Sequence, residues 1–221
     1  MRALRARLHP ADGREQDSGM SIMELLVSMG ILLVVLSTFM AGVVVMTKNT
    51  VRAQVVAESG AEIRRVFQRF DKQVRYADAI NLPGNGTGGT RYVEFRTPAS
   101  VSATGVTMCT QWRWDPATKL VQTRTWQEVV AVLPGWTTMA SNVVADASVP
   151  GYPFTVAAAT PTHPHQELTV SLLAESVQDR SVSTASSFVA RNSSVQSNGN
   201  ADINGDGASD NPACWRTGVR P

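Results

Sequence analysis

Cysteine, histidine and charge are all scarce in this chain, and each scarcity closes off a class of function. Two cysteines, Cys109 and Cys214, are too few for a disulfide scaffold or a four-ligand zinc site, but suffice for one bridge if the domain is exported. The three histidines include one close pair, His163 and His165 around Pro164, with no third ligand at helical spacing. That pattern reads as a proline-rich loop and not as a metal centre. No Gly-x-Ser-x-Gly elbow, His-Glu-x-x-His run or phosphate-binding glycine loop occurs, so the sequence does not read as an enzyme. Charged residues make up 17%, which excludes a highly charged disordered chain. Twenty basic against 18 acidic residues leave a formal charge of +2, no field with which to hold nucleic acid. Aromatics are 6%, and the five tryptophans, Trp112, Trp114, Trp126, Trp136 and Trp215, read as packing residues, with a sugar-stacking platform as the alternative.

Apolar residues, by contrast, are unevenly concentrated. Residues 22–46 run IMELLVSMGILLVVLSTFMAGVVVM, 25 residues with one charge. At about 1.5 Å per residue such a helix spans a hydrocarbon core of about 30 Å. It is longer than the apolar core of a secretory signal, and no convincing small-x-small cleavage site follows it. The polar residues ahead of it carry Arg2, Arg5, Arg7 and Arg14, which favour a cytoplasmic N-terminus, although Lys48 and Arg52 beyond it reduce the asymmetry. The one charge is Glu24, a carboxylate that asks for a partner, since an acid at the centre of a membrane helix costs about 2.5–3.5 kcal/mol. Upstream stands Gly19, followed by Met20, Ser21, Ile22 and Met23. Cutting after Gly19 gives Met20 a new ammonium group one helical turn from that acid.

This junction of glycine, apolar residue, three spacers and glutamate, followed by a long apolar helix, resembles the type IV prepilins and pseudopilins over about residues 15–75. Two positions depart from the family pattern: Met20 stands where phenylalanine is usual, and Ala41 where many major pilins carry a helix-kinking proline. The resemblance implies cleavage after Gly19 and N-methylation of Met20 by a membrane-embedded prepilin peptidase. It also implies that Glu24 recruits the subunit into a filament by neutralising the N-terminal ammonium of a neighbour. Two opposite charges buried together cost less than either alone, which gives that role a physical basis. The segment SVSTASSFVARN at residues 181–192 is similar to the end of J-type minor pseudopilins.

Beyond Lys48 the pattern turns amphipathic, with Val51, Val55, Ile63, Phe67, Phe70 and Val74 forming a helical stripe. Pro83, Gly84 and Gly86 mark its stop, so the spacing predicts one helix from near Met20 to near Ala79. The period then becomes two. Strands are predicted at 91–96, at 106–114 and 120–126 around an Asp115-Pro116 turn, and at 129–133, 154–157, 167–174 and 181–191. Trp112 and Trp114 are expected on one face of their strand. The polar tail contains Asp202, Asn204 and Asp206 at spacing two, then Gly207 and Asp210, the front half of an EF-hand-type calcium loop. Ala213 occupies the twelfth position, where such a loop needs glutamate, so the readings are a partial calcium site or an Asx-rich turn.

The expectation is therefore an α+β, pilin-like chain: a leader (1–19), a transmembrane helix half (20–47), an amphipathic half (48–80), an antiparallel β-rich domain (81–195) packed against it, and a polar tail (196–221). Cys109 and Cys214 are expected to pair and to pin the tail to the sheet. The expected function is that of a minor pilin or pseudopilin in a type IV pilus or type II secretion pseudopilus. Such a subunit is single-pass in the cytoplasmic membrane with its C-terminal domain exported, and passes into a periplasmic or extracellular filament. Its partners are the prepilin peptidase, other pilin subunits and the membrane, with no nucleic acid. The alternatives are a filament-tip adhesion module and a membrane-anchored calcium-binding domain that does not polymerise.

Overall fold

The computed structural model describes residues 21–130, 132–175, 181–216 and 218–220. Gly19 and Met20, the two residues of the expected processing junction, lie outside them. Two compact units divide the chain, Met1–Thr50 and Val51–Pro221. Helix α1 (Ile22–Val74) forms the described part of the first unit and opens the second. The architecture is a long N-terminal apolar helix and a C-terminal domain of antiparallel sheets.

In the first unit every described residue is exposed, including the large apolar side chains from Ile22 to Met46. Residues Ile22–Gln54 are long and apolar enough to cross a membrane. The hydroxyls within the run do not need water. Ser28, Ser37, Thr38, Thr47 and Thr50 each donate to a backbone carbonyl three or four residues back. A helix that must lie in hydrocarbon satisfies its polar groups in this way.

The second unit has two sheets. The first contains β1 (Ala79–Ile80), β2 (Gly84–Asn85), β3 (Arg91–Thr97), β4 (Met108–Asp115), β5 (Leu120–Gln127) and β6 (Thr137–Ala140), in the order β1-β3-β4-β5-β6 with β2 also on β3. The second contains β7 (Val143–Val144), β8 (Phe154–Ala157), β9 (Glu167–Ala174) and β10 (Val182–Val189); β9 pairs with β10 on one edge and with β7 and β8 on the other. Four helix residues, Ile63, Val66, Phe70 and Val74, enter one core with Val93, Phe95, Trp112 and Trp114 of the first sheet and with Leu168, Val170 and Phe188 of the second. Phe70 stacks on Trp112 at 4.1 Å between ring centroids and also meets Phe154 and Phe188. Trp112 and Trp114 share this face, as their alternation predicts. Their ring N–H groups donate to Gln73 Oε1 and to the Val143 carbonyl, so neither donor is buried unpaired.

Three expectations change. The helix ends at Val74 and not near Ala79, because Ala79 and Ile80 are fully buried and pair with Arg96 and Phe95 of β3. The Pro83-Gly84 signal therefore terminates a strand segment that follows the helix. No strand forms among the described residues of 129–133: Val129 and Val132 are 89% and 81% exposed, and the Val130 amide turns back to the Gln127 carbonyl. The helical stripe does not extend to Val51, which is exposed, and the side chain of Val55 lies outside the described ones. The 154–157 and 167–174 strands fall where the alternation places them.

Because Phe70 joins α1 to both sheets, Phe70→Ala is expected to cost about 3–5 kcal/mol of stability, measured by denaturant unfolding of the second unit. Val51→Ala, on the same helix but exposed, is expected to stay within about 0.5 kcal/mol.

Candidate functional site

Glu24 sits in the first turn of α1, which begins at Ile22. Ser21 is the cap: its Oγ accepts from the Met23 amide at 3.3 Å, and its carbonyl accepts from the Leu25 amide at 3.1 Å. Ser21 and Glu24 therefore have capping-box spacing, and the carboxylate lies where the helix dipole favours negative charge. That cap was legible as Ser-x-x-Glu but is masked by the stronger apolar signal that follows. Around the acid, Ile22, Met23, Leu25 and Leu26 are 51–81% exposed. A lone acid in such a setting needs a cation, and none stands in the described part of this unit before Lys48.

The second constellation locks the tail. Cys109 of β4 and Cys214 are joined, S–S 2.03 Å, across 105 residues of sequence. Closing a loop of about that length stabilises the fold by about 4.7 kcal/mol in the chain-entropy account. Beside the bridge, Glu94 of β3 is fully buried and accepts from Arg220 Nε at 2.9 Å, Arg220 Nη2 at 2.5 Å and Gln111 Nε2 at 2.8 Å. Gln111 and Arg124 both donate to the Val219 carbonyl at 2.8 Å. Asn81 exchanges two 2.8 Å hydrogen bonds with the backbone of Ala213. The tail thus covers the face of the first sheet opposite α1. Sequence reasoning found the cysteines but not Glu94, Arg220, Gln111 or Asn81, because nothing in an alternating strand marks which polar residue faces inward.

The remaining sequence candidates are not gathered into a site. In the loop at 202–210, Asp202 Oδ1 and Asn204 Oδ1 accept from the Asp206 amide at 3.1 Å, Asp202 Oδ2 accepts from the Gly207 amide, and Asp210 Oδ2 accepts from the Ile203 amide. The donor type and the front half of the loop fit calcium. The back half does not, because Ala213 is buried against Asn81 where a bidentate acid is required. Among the described residues, the three candidate ligand atoms lying within 4.8 Å of one another belong to Cys109, Glu128 and Cys214, and the two sulfurs are already bonded to each other. His165 Nδ1 contacts the Ser193 carbonyl and His163 Nδ1 contacts the Thr162 hydroxyl, so the pair does not converge.

The tryptophans serve packing, as their sequence reading has it, and do not form the alternative stacking platform. Trp112, Trp114 and Trp126 are buried, and Trp136 lies between the Arg113 and Arg124 guanidinium groups, each 4.2 Å from its ring centre. Trp215 alone of the five is largely exposed. The rings are spent on packing.

Arg220→Ala leaves the Glu94 carboxylate buried without its cation and is expected to cost about 3–5 kcal/mol. The double change Glu94→Gln/Arg220→Met is expected to cost less than Arg220→Ala, and denaturant unfolding of the three proteins measures the difference. No protein-family model, no curated protein and no solved structure matches the chain.

Proposed function

We propose that this chain is a minor type IV pilin or pseudopilin subunit. It is cut after Gly19 by a prepilin peptidase, methylated at Met20, and moved from the cytoplasmic membrane into a type IV pilus or type II secretion pseudopilus. The observation that carries this reading is the position of Glu24. It is the single charge in a 25-residue apolar run, it lies in the first turn of a helix that Ser21 caps, and it stands five residues after a glycine that closes a polar segment.

The mechanism follows from charge and exposure. An apolar helix left uncovered by the described residues of its chain is stable in lipid or among like helices. Removal of residues 1–19 frees the Met20 amine. Its ammonium and the Glu24 carboxylate of a neighbour then neutralise one another inside the helix bundle, where each alone is costly. The exported domain requires an oxidising compartment for its disulfide, in keeping with a helix whose arginine-bearing end stays in the cytoplasm.

Protein extracted from membranes is expected to begin at N-methylated Met20, determined by N-terminal sequencing and mass. Retention of Met1 in mature protein overturns the filament reading and leaves an anchored domain. Glu24→Ala is expected to leave membrane insertion intact and to abolish recovery of the subunit in sheared or overproduced filaments. Normal recovery of that variant counts against charge pairing.

A further inference from the structure

The exported domain carries two surface features of opposite charge that its own fold leaves unused. The first is a groove of about 840 Å³ between the C-terminal part of α1 and the first sheet. Its helix wall presents Arg65, Arg69 and Lys72, which recur at one helical face, and Val101 and Met108 add apolar surface from the sheet side. Among the described residues no aspartate or glutamate lines it. The neighbouring acids on α1 are already engaged: Glu62 accepts from the Ser141 amide and hydroxyl, and Asp71 pairs with Arg75. Arg65, Arg69 and Lys72 are exposed and make no ion pair among the described residues.

The second feature is the loop at residues 202–210. It carries half-buried Asp202 and exposed Asp206 and Asp210, together with Ile203, which is 89% exposed. Each carboxylate accepts amides of its own loop, yet a carboxylate has about four acceptor positions, so outward-facing lone pairs remain. A loop with three acids beside an exposed apolar side chain is complementary in charge to a groove whose helix wall carries three cations opposite an apolar patch. The two cannot be one molecule's internal contact as folded. Met108, Thr110 and Thr125 of the groove face the α1 side of the first sheet, whereas the loop belongs to the tail that covers the other side.

We propose that two copies of this chain dock head to tail, with the 202–210 loop of one copy seated in the Arg65–Arg69–Lys72 groove of the next. Donor and acceptor are different surfaces, so the contact is heterologous and can repeat along an assembly. It uses only the exported unit and does not depend on removal of residues 1–19, so it stands or falls separately from the processing reading. Two adjacent copies suffice, which a minor subunit allows.

The test uses the full chain purified in detergent with a chelator present, so that the loop keeps its three charges. Unlabelled and ¹⁵N-labelled copies are mixed and treated with a carbodiimide, which condenses a lysine amine with a carboxylate and releases water. Mixed-label peptides joining Lys72 to Asp202, Asp206 or Asp210 are expected, with a yield that falls as salt rises from about 0.05 to 0.5 M. The groove reversal Arg65→Glu/Arg69→Glu and the loop reversal Asp206→Arg/Asp210→Arg are each expected to lower that yield at least about tenfold. Mixing the two variants is expected to restore it, which a local folding defect in either variant does not. Mixed-label links elsewhere without the Lys72 link, links confined to one label, or failure of the mixture to restore the yield each overturn the proposal.

Discussion

Strand β4 is the constraint on which the β-rich domain depends, because neither of its faces can be left in water. Met108, Thr110, Trp112 and Trp114 point to one side, and Cys109, Gln111 and Arg113 to the other. The first side is covered by α1 through Phe70. The second side is covered by the C-terminal tail, whose described residues form no helix or strand and thus no ladder to hold it there. Its attachment comes from the disulfide and from Glu94, a carboxylate with 1% side-chain exposure against the Arg220 guanidinium. A buried ion pair is weak as a source of net stability, since desolvation offsets the attraction. It is strong as a selector of register, because a tail displaced by one residue leaves the charge unmatched. The bridge brings the tail to the sheet, and the ion pair decides where it lies.

The first unit poses the opposite problem. Here the apolar surface is extensive and none of the described residues covers it. A soluble fold cannot carry such a helix exposed, because unbroken apolar patches beyond a few hundred Å² mark a site of contact. Lipid or neighbouring helices must supply the environment. The hydroxyls bonded to their own backbone show a helix already prepared for either.

How much of this was legible follows from the range of each signal. The apolar run, the β3 to β5 strands, the 154–157 strand and the 167–174 strand depend on local periodicity and were readable from the residues themselves. The short strands β1, β6 and β7 depend on which edges are vacant once the others have paired, and the two residues of β1 and of β7 carry no period. Residues 129–133 have strand composition but follow the last ladder position of β5, so the chain turns there. In the candidate sites, Glu24 and the cysteines were visible because each residue is unusual for its setting. Glu94 was not, since an acid at an outward-looking position of an alternating strand signals solvent until the tail is known to cover it. The tryptophans were readable as packing residues, and their alternation with Cys109 and Arg113 placed two of them in the core.

Magnitudes suggest how the two proposed contacts divide their labour. An exposed ion pair contributes about 0–1 kcal/mol, while fully burying an isoleucine side chain contributes about 1.5–3 kcal/mol. In the head-to-tail contact Ile203 therefore outweighs any single aspartate in affinity. The three acids instead fix which groove accepts the tip and in what orientation, for a misplaced carboxylate in an apolar patch loses more than a well-placed one gains. The same proportion holds at the other end of the chain. Twenty-four apolar or neutral residues of the 22–46 run provide the association energy of the proposed helix bundle, and Glu24 alone cannot. Apolar helices slide past one another with little change in energy, whereas one carboxylate that must meet one ammonium admits a single stagger. A near-neutral chain with few charges can thus specify an assembly, provided that each charge is set in an apolar surround where a wrong register is costly.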